Sequence, residues 1–222
     1  MEVLGFDSRG WNGVLPAGHP FKYVFIKATE GTGFKTENYE KQREGAKAGG
    51  LLWAPYHFFR SWLGPEDQAA YFRAEVGSDA GQLPPVLDLE DTSAPKLGET
   101  PGRVLRCVKE IERLFGRKPM IYSASWWWNP WMGGGLTWPN DYFHWVANYT
   151  TAASPLLPLG WNGWNVWQYR GDVGQLGFNA KIDWNRCDSG WLDQFTQLPN
   201  DDILLKVKKS TAENLHAALH GG

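Results

Sequence analysis

Eight strand-length apolar or aromatic runs, several of them separated by stretches of helical period, constrain this chain most. They read VLGFD at 3–7, YVFIKAT at 23–29, LLWAPYHFF at 51–59, PPVLDLE at 84–90, PMIYSAS at 119–125, FHWVANY at 143–149, NVWQYR at 165–170 and AKIDWN at 180–185. Helical patterns lie between several of them. NYEKQREGAKAGG ends at a glycine pair and PEDQAAYFRAEVG puts Pro65 in a first turn; TPGRVLRCVKEIERLFG sets Val104, Leu105, Val108, Ile111, Leu114 and Phe115 on one face. Strand followed by helix favours a parallel sheet. The last third differs: TTAASPLLPLGWNG, between Tyr149 and Trp164, and RGDVGQLGFNAK, between Tyr169 and Ile182, carry Gly or Pro and have no helical face. Parallel neighbours need a long crossover, normally helical, so these connections predict hairpins. The expected fold is an α/β barrel that begins as β/α units and closes with mostly antiparallel strands.

A chain of 222 residues suits one such domain without a second core. Its 22 basic and 24 acidic residues nearly balance, and no block of like charge occurs, which argues against a nucleic-acid partner. Fourteen tryptophans exceed what a core of this size requires; flat apolar faces with polar tips suit sugar rings, and many also fill cores. The opening MEVLGFDSRG has no basic start leading into an apolar stretch, and no run of eighteen apolar residues follows. Neither a secretory signal nor membrane insertion is expected. Cys107 and Cys187 define neither a disulfide scaffold nor a zinc spacing and are expected as buried thiols.

The run PPVLDLEDT places Asp88 and Glu90 on either side of Leu89. On a strand they share a face, with α-carbons about 6.6 Å apart. Two carboxylates in a partly dry site do not ionise equally, which yields one acid and one anion, the pair that glycosidic bond cleavage uses. An isolated D-x-E also occurs as two solvated acids past a strand end, so the motif needs support from the rest of the chain. A barrel carries its chemistry at the C-terminal mouth of its parallel strands. Polar residues gather there: Asp7, Thr29 with Glu30, Tyr56 to Phe58, Asp88 with Glu90, and Tyr122 to Ser125 end the first five runs, and Asp183 lies in the last.

These strings resemble family 25 of the glycoside hydrolases, the Ch-type lysozymes. GFD, FIKATEGTGF with the NYEKQREGAKAGG helix, YHFF, DQAAYF, PPVLDLE, PMIYSAS, WVANY, VWQY and IDWN occur in the family's order across residues 3 to 192. The resemblance implies an irregular, TIM-like (β/α)5β3 barrel over residues 1–197, with a short tail at 198–222. It implies an N-acetylmuramidase acting on bacterial peptidoglycan at the β-1,4 bond between N-acetylmuramic acid and N-acetylglucosamine. Glu90 would be the general acid and Asp88 its anionic companion, while Asp7 and Asp183 would stabilise positive charge near the anomeric carbon. Tyr56 and Tyr122 would contact the sugar at the cleavage point. Trp145, Tyr149 and Gln168 are further substrate-binding candidates, each of which also fits a core or supporting position. No metal or cofactor is required. Retention, inversion and participation of the substrate's N-acetyl group all fit an i, i+2 acid pair.

The start departs from the family pattern, because Ser8 comes one position early and Asn12 stands where glutamine is usual, which leaves the hydrogen bonding of Asp7 open. A non-catalytic glycan-binding barrel and a glycosidase of chitin are the alternatives to a muramidase. Without a signal, the expected setting is a bacterial host cytoplasm with release to the wall, as in a phage lysin, or carriage on a virion.

Other motifs have bland readings. GTGFKT lacks phosphate-loop spacing; His57 is expected as a hydrogen-bonded core or mouth histidine. His216 and His220 lack a third metal ligand. The cluster Trp126, Trp127, Trp128 and Trp131 either lines an outer sugar subsite or packs a loop. In the tail, Ser210 and Glu213 have capping-box spacing.

Overall fold

A computed structural model describes residues 1–93, 98–174 and 177–196. The 198–222 tail, with Ser210, Glu213, His216 and His220, lies outside the described residues. Strands β1 (Glu2–Ser8), β2 (Tyr23–Glu30), β4 (Leu52–Phe58), β5 (Val86–Asp88), β6 (Met120–Ala124), β7 (Phe143–Ala147), β8 (Val166–Gly174) and β9 (Lys181–Asp188) form the eight staves of a closed barrel. A two-residue strand, β3 (Phe34–Lys35), folds back on β2 and accounts for GTGFKT as a hairpin. Helices α1 (Tyr39–Ala48), α2 (Pro65–Val76), α3 (Thr100–Phe115) and α4 (Ser125–Met132) fill four of the crossovers, and α5 (Ser189–Asp193) follows the last strand. No helix separates β7, β8 and β9, which is the β3 part of the expected (β/α)5β3 barrel.

The strand directions correct one expectation. Among the eight staves every neighbouring pair from β1 through β8 is parallel, and β9 alone runs antiparallel, closing the barrel between β8 and β1. The β8–β9 hairpin is present, but the predicted hairpin between Tyr149 and Trp164 is a non-helical crossover. Backbone groups in such a segment need partners that a helix would have supplied internally. Side chains supply them: Asn129 and Asn148 accept from the N–H groups of Leu159 and Leu156 at 2.8 and 2.9 Å, and Trp128 Nε1 donates to the Leu159 carbonyl at 2.9 Å. Trp161 stacks on His144 with centroids 3.8 Å apart. Three of the four clustered tryptophans, 127, 128 and 131, are thus buried in α4 as packing, and Trp126 alone is exposed.

Strand parity sorts the apolar residues into two layers. Tyr23, Phe25, Ala54, Tyr56, Val86, Met120, Tyr122, Trp145, Val166 and Cys187 fill the barrel interior. Their alternates, among them Val24, Ile26, Leu87 and Ile121, pack outward against Val104, Cys107, Val108 and Ile111 of α3 and the faces of the other helices. Gly5 pairs with Tyr23 in the β1–β2 ladder, and any side chain there would overlap the Tyr23 ring, since a Cβ would fall 2.3 Å from it. A glycine in the first run thus admits an aromatic plug from the second.

Candidate active site

At the C-terminal mouth the inward-facing positions change from apolar to polar. One cavity of about 380 Å³ opens there, and all nine residues singled out from the sequence line it: Asp7, Tyr56, Asp88, Glu90, Tyr122, Trp145, Tyr149, Gln168 and Asp183. Asp7 and Asp183 face each other as partners in the β1–β9 ladder, and Asp88 is the last residue of β5. Glu90 lies two residues beyond that strand yet still reaches the cleft.

Asp7 is held by side-chain amides. Its Oδ1 accepts from Gln168 Nε2 at 2.9 Å and from Asn185 Nδ2 at 2.7 Å. Each amide is oriented from behind: Trp145 Nε1 donates to Asn185 Oδ1 at 2.8 Å, and the hydroxyls of Tyr122 and Tyr149 donate to Gln168 Oε1 at 2.9 and 2.8 Å. Two amide donors thus converge on one oxygen of Asp7. Asn12 takes no part; it accepts from Val14 N–H, and its own N–H goes to Asn179. The family's early glutamine is therefore not replaced by a shorter amide at Asp7; residues of β8 and β9 hold that carboxylate. Ser8 instead braces the turn, its Oγ accepting from the N–H groups of Gly10 and Trp11 at 3.1 Å.

Burial and mutual repulsion raise the proton affinity of all four acids. Asp7 is pushed well above the usual carboxylate range by burial first and Asp183 second, against the amides of Asn185 and Gln168. Asp88 is pushed well above it by burial and then by Glu90, and its Oδ1 has no hydrogen-bond partner. Glu90 is raised by burial and Asp183, while the Tyr122 hydroxyl and the Lys27 ammonium pull the other way. Asp183 is raised by burial, opposed by the N–H of Asp172, which its Oδ1 accepts. Burial and the neighbouring carboxylates thus favour the protonated form at both Asp88 and Glu90.

Trp145 belongs to the floor. It is 2% exposed, stacks on Phe25 at 4.3 Å and meets Tyr122 edge-on at 4.5 Å, closing the barrel beneath the acids. Gln168 is equally buried, so its part is to orient Asp7; Tyr149, 60% exposed, stands at the rim. His57 is a core histidine between Thr29 and Gln68, and burial lowers its pKa to about 4. Sequence reading missed Asn185 as a site residue, although it sits in IDWN two positions after Asp183 and shares its strand face. It also missed the cations Arg9, Lys27 and Lys181 that line the same cleft. Lys27, hidden in the apolar run YVFIKAT, forms an ion pair with Glu30 at 2.6 Å.

Comparison with known proteins points one way. Residues 6–177 match the profile of the Glycosyl hydrolases family 25. The chain is 30% identical over 165 residues to the Escherichia coli K12 protein YegX, a match covering 74% of this chain and 58% of that one. It is also 30% identical to an N,O-diacetylmuramidase of Arthroderma benhamiae, covering 82% of each. Among solved structures, a family GH25 lysozyme from Aspergillus fumigatus superposes with a TM-score of 0.73 at 26% identity, covering 88% of this chain and 99% of that one.

Proposed function

The chain belongs to family 25 of the glycosyl hydrolases, and on that footing we propose that it is a peptidoglycan hydrolase. It acts as an N-acetylmuramidase on the β-1,4 bond between N-acetylmuramic acid and N-acetylglucosamine. The observation that carries this reading is the gathering of Asp7, Asp88, Glu90 and Asp183 in one cleft, each with raised proton affinity. Glycoside hydrolysis needs a carboxylic acid still protonated near neutral pH beside carboxylates that face a developing oxocarbenium ion.

Glu90 is the general acid in this reading. It is less buried than Asp88 and borders the open space of the cleft. Tyr122 serves both of its states. The tyrosine has one hydroxyl hydrogen and two acceptors in reach, Gln168 Oε1 and Glu90. While Glu90 is protonated, the hydroxyl donates to Gln168. Once Glu90 has passed its proton to the departing sugar oxygen, the hydroxyl turns and stabilises the new carboxylate. Asp7, with two amide donors on one oxygen, is the anion best prepared to face positive charge at the anomeric carbon. Asp88, with an unpartnered oxygen, is free to engage the substrate's N-acetyl group.

The test is clearing of bacterial wall suspensions, set against chitin and against the Glu90→Gln variant. Wild type is expected to clear walls and release N-acetylmuramic acid reducing ends, and the variant to lose about 10²- to 10⁴-fold. Full-rate clearing by the variant, or a preference for chitin, overturns the proposal.

A further inference from the structure

The acidic floor of the cleft has a cationic rim that the hydrolysis chemistry does not use. Asp7 pairs with Asp183 at the last rung between β1 and β9, Arg9 follows directly on the end of β1, and Lys181 opens β9. Both cations line the same cleft as these two acids. Both are exposed. Neither forms an ion pair or a side-chain hydrogen bond among the described residues. The contrast with the nearby lysines is direct: Lys27 is paired with Glu30, and Lys35 with Glu40 and Glu75. Asp183 feels the Arg9 charge, but its Oδ1 accepts from the N–H of Asp172, and no carboxylate lies within ion-pair distance of either cation among the described residues. Like charges that share a cleft repel each other, and an anion between them relieves that cost.

A second cavity, of about 720 Å³, adjoins the first. Arg9 and Lys27 belong to both walls, and it continues over Phe34 and Thr36. A branch of the substrate leaving the cleft past Arg9 therefore has space to occupy. Of the two sugars in the proposed substrate, one carries such a branch: N-acetylmuramic acid bears a 3-O-lactyl group, whose carboxyl is either free or extended by a peptide that has carboxylates of its own. An arginine fork engages a carboxylate with two parallel hydrogen bonds, and a nearby ammonium adds charge.

We propose that Arg9 and Lys181 form a clamp for a carboxylate on the lactyl arm of the muramyl residue, with the adjoining cavity receiving the rest of that arm. This rests on the muramidase reading and adds the feature by which the cleft selects its polymer. The test uses the whole chain and three preparations of the same glycan strands: with intact stem peptides, with peptides removed to leave free lactyl carboxylates, and with those carboxylates converted to neutral methylamides. The readout is the ratio of kcat/KM on charged to neutral strands, which cancels any general loss in a variant. For Arg9→Gln/Lys181→Gln that ratio is expected to fall about tenfold, the size of one charge-assisted contact. Arg9→Lys should keep most of it, and added salt should erode the wild-type ratio. A fall on peptide-bearing strands alone assigns the carboxylate to the peptide, a fall on peptide-free strands alone assigns it to the lactyl group, and a fall on both shows that the clamp takes a carboxylate from either position on the arm. An unchanged ratio in the double variant overturns the clamp while leaving the muramidase reading intact. No turnover of any strand by wild type overturns the parent reading instead.

Discussion

Tyr122 and Asp88 show how single groups set the chemistry. The Tyr122 hydroxyl holds down the proton affinity of Glu90, so Tyr122→Phe should raise it. The alkaline limb of a kcat/KM profile is then expected to move to higher pH, with a lower plateau because the departing proton leaves an unsupported carboxylate. An unshifted limb would mean that the hydroxyl serves Gln168 alone. Asp88 carries a stability consequence. Its folded-state proton affinity is raised, so its favourable contribution is fully present below about pH 4, the ordinary carboxylate range, and is lost as pH rises through the raised value. Replacing it with a neutral isostere removes a buried charge at neutral pH. Asp88→Asn is expected to melt about 2–6 °C higher than wild type at pH 8 and no higher at pH 3.5, while losing activity, the exchange of stability for function common at active sites. Equal melting temperatures at pH 8 would show that Asp88 is not held against its charge.

The helix α1 and the loop between β1 and β2 meet through two glycines, where close approach overrides propensity. A Cβ on Gly45, inside α1, would lie 1.9 Å from the carbonyl oxygen of Gly13, and Gly13 itself has a positive φ of 84°. Alanine is normally worth about 1 kcal/mol over glycine in a helix. Gly45→Ala should nevertheless destabilise the protein by about 2 kcal/mol or more, because the contact is with backbone that must move. Gly102, in α3, has nothing within 4 Å of such a Cβ. Gly102→Ala should therefore gain about 0.5 kcal/mol, and urea melts of the two variants are expected to move in opposite directions. The elements themselves were largely legible: all eight barrel strands and the first three helices lie where period and punctuation put them. The α4 helix was not, because SWWWNPWM is apolar all round and holds Pro130, leaving no polar face to reveal a helical period. The direction of β8 was not legible either. Whether a Pro- and Gly-bearing segment turns back or crosses over depends on distant side chains such as Asn129 and Trp128 that satisfy its backbone.

Closure of the barrel joins parts of the chain that sequence distance keeps apart, and it makes the molecule's two thiols a probe of the whole. Cys107 is on the buried face of α3 and Cys187 is inside the barrel, on the strand that seals it. Burial pushes the Cys187 thiol up to about 12 and raises Cys107 as well. Neither should react with a disulfide reagent in the native protein, and a reductant should leave its stability unchanged. In limiting denaturant both are expected to label at one common rate, since breaking the β1–β9 seam opens the interior and the helix layer together. Faster labelling of Cys187 would reveal separate opening of that seam.

Local pattern was enough for the strands, most of the helices and the residue types at the mouth, because strand period and the polar endings of apolar runs are carried by neighbouring residues. Asp7, Asp88, Glu90 and Asp183 could be named as a group on that basis. Their proton affinities, the amides that hold Asp7, and the unpaired cations above it came from closure alone. Gln168 and Asn185 reach Asp7 across 161 and 178 residues, and the desolvation that raises Asp88 and Glu90 exists only once eight strands exclude water around them. Charge and hydrogen bonding act over a few ångströms in space, and here those ångströms are set by the ring, not by adjacency along the chain.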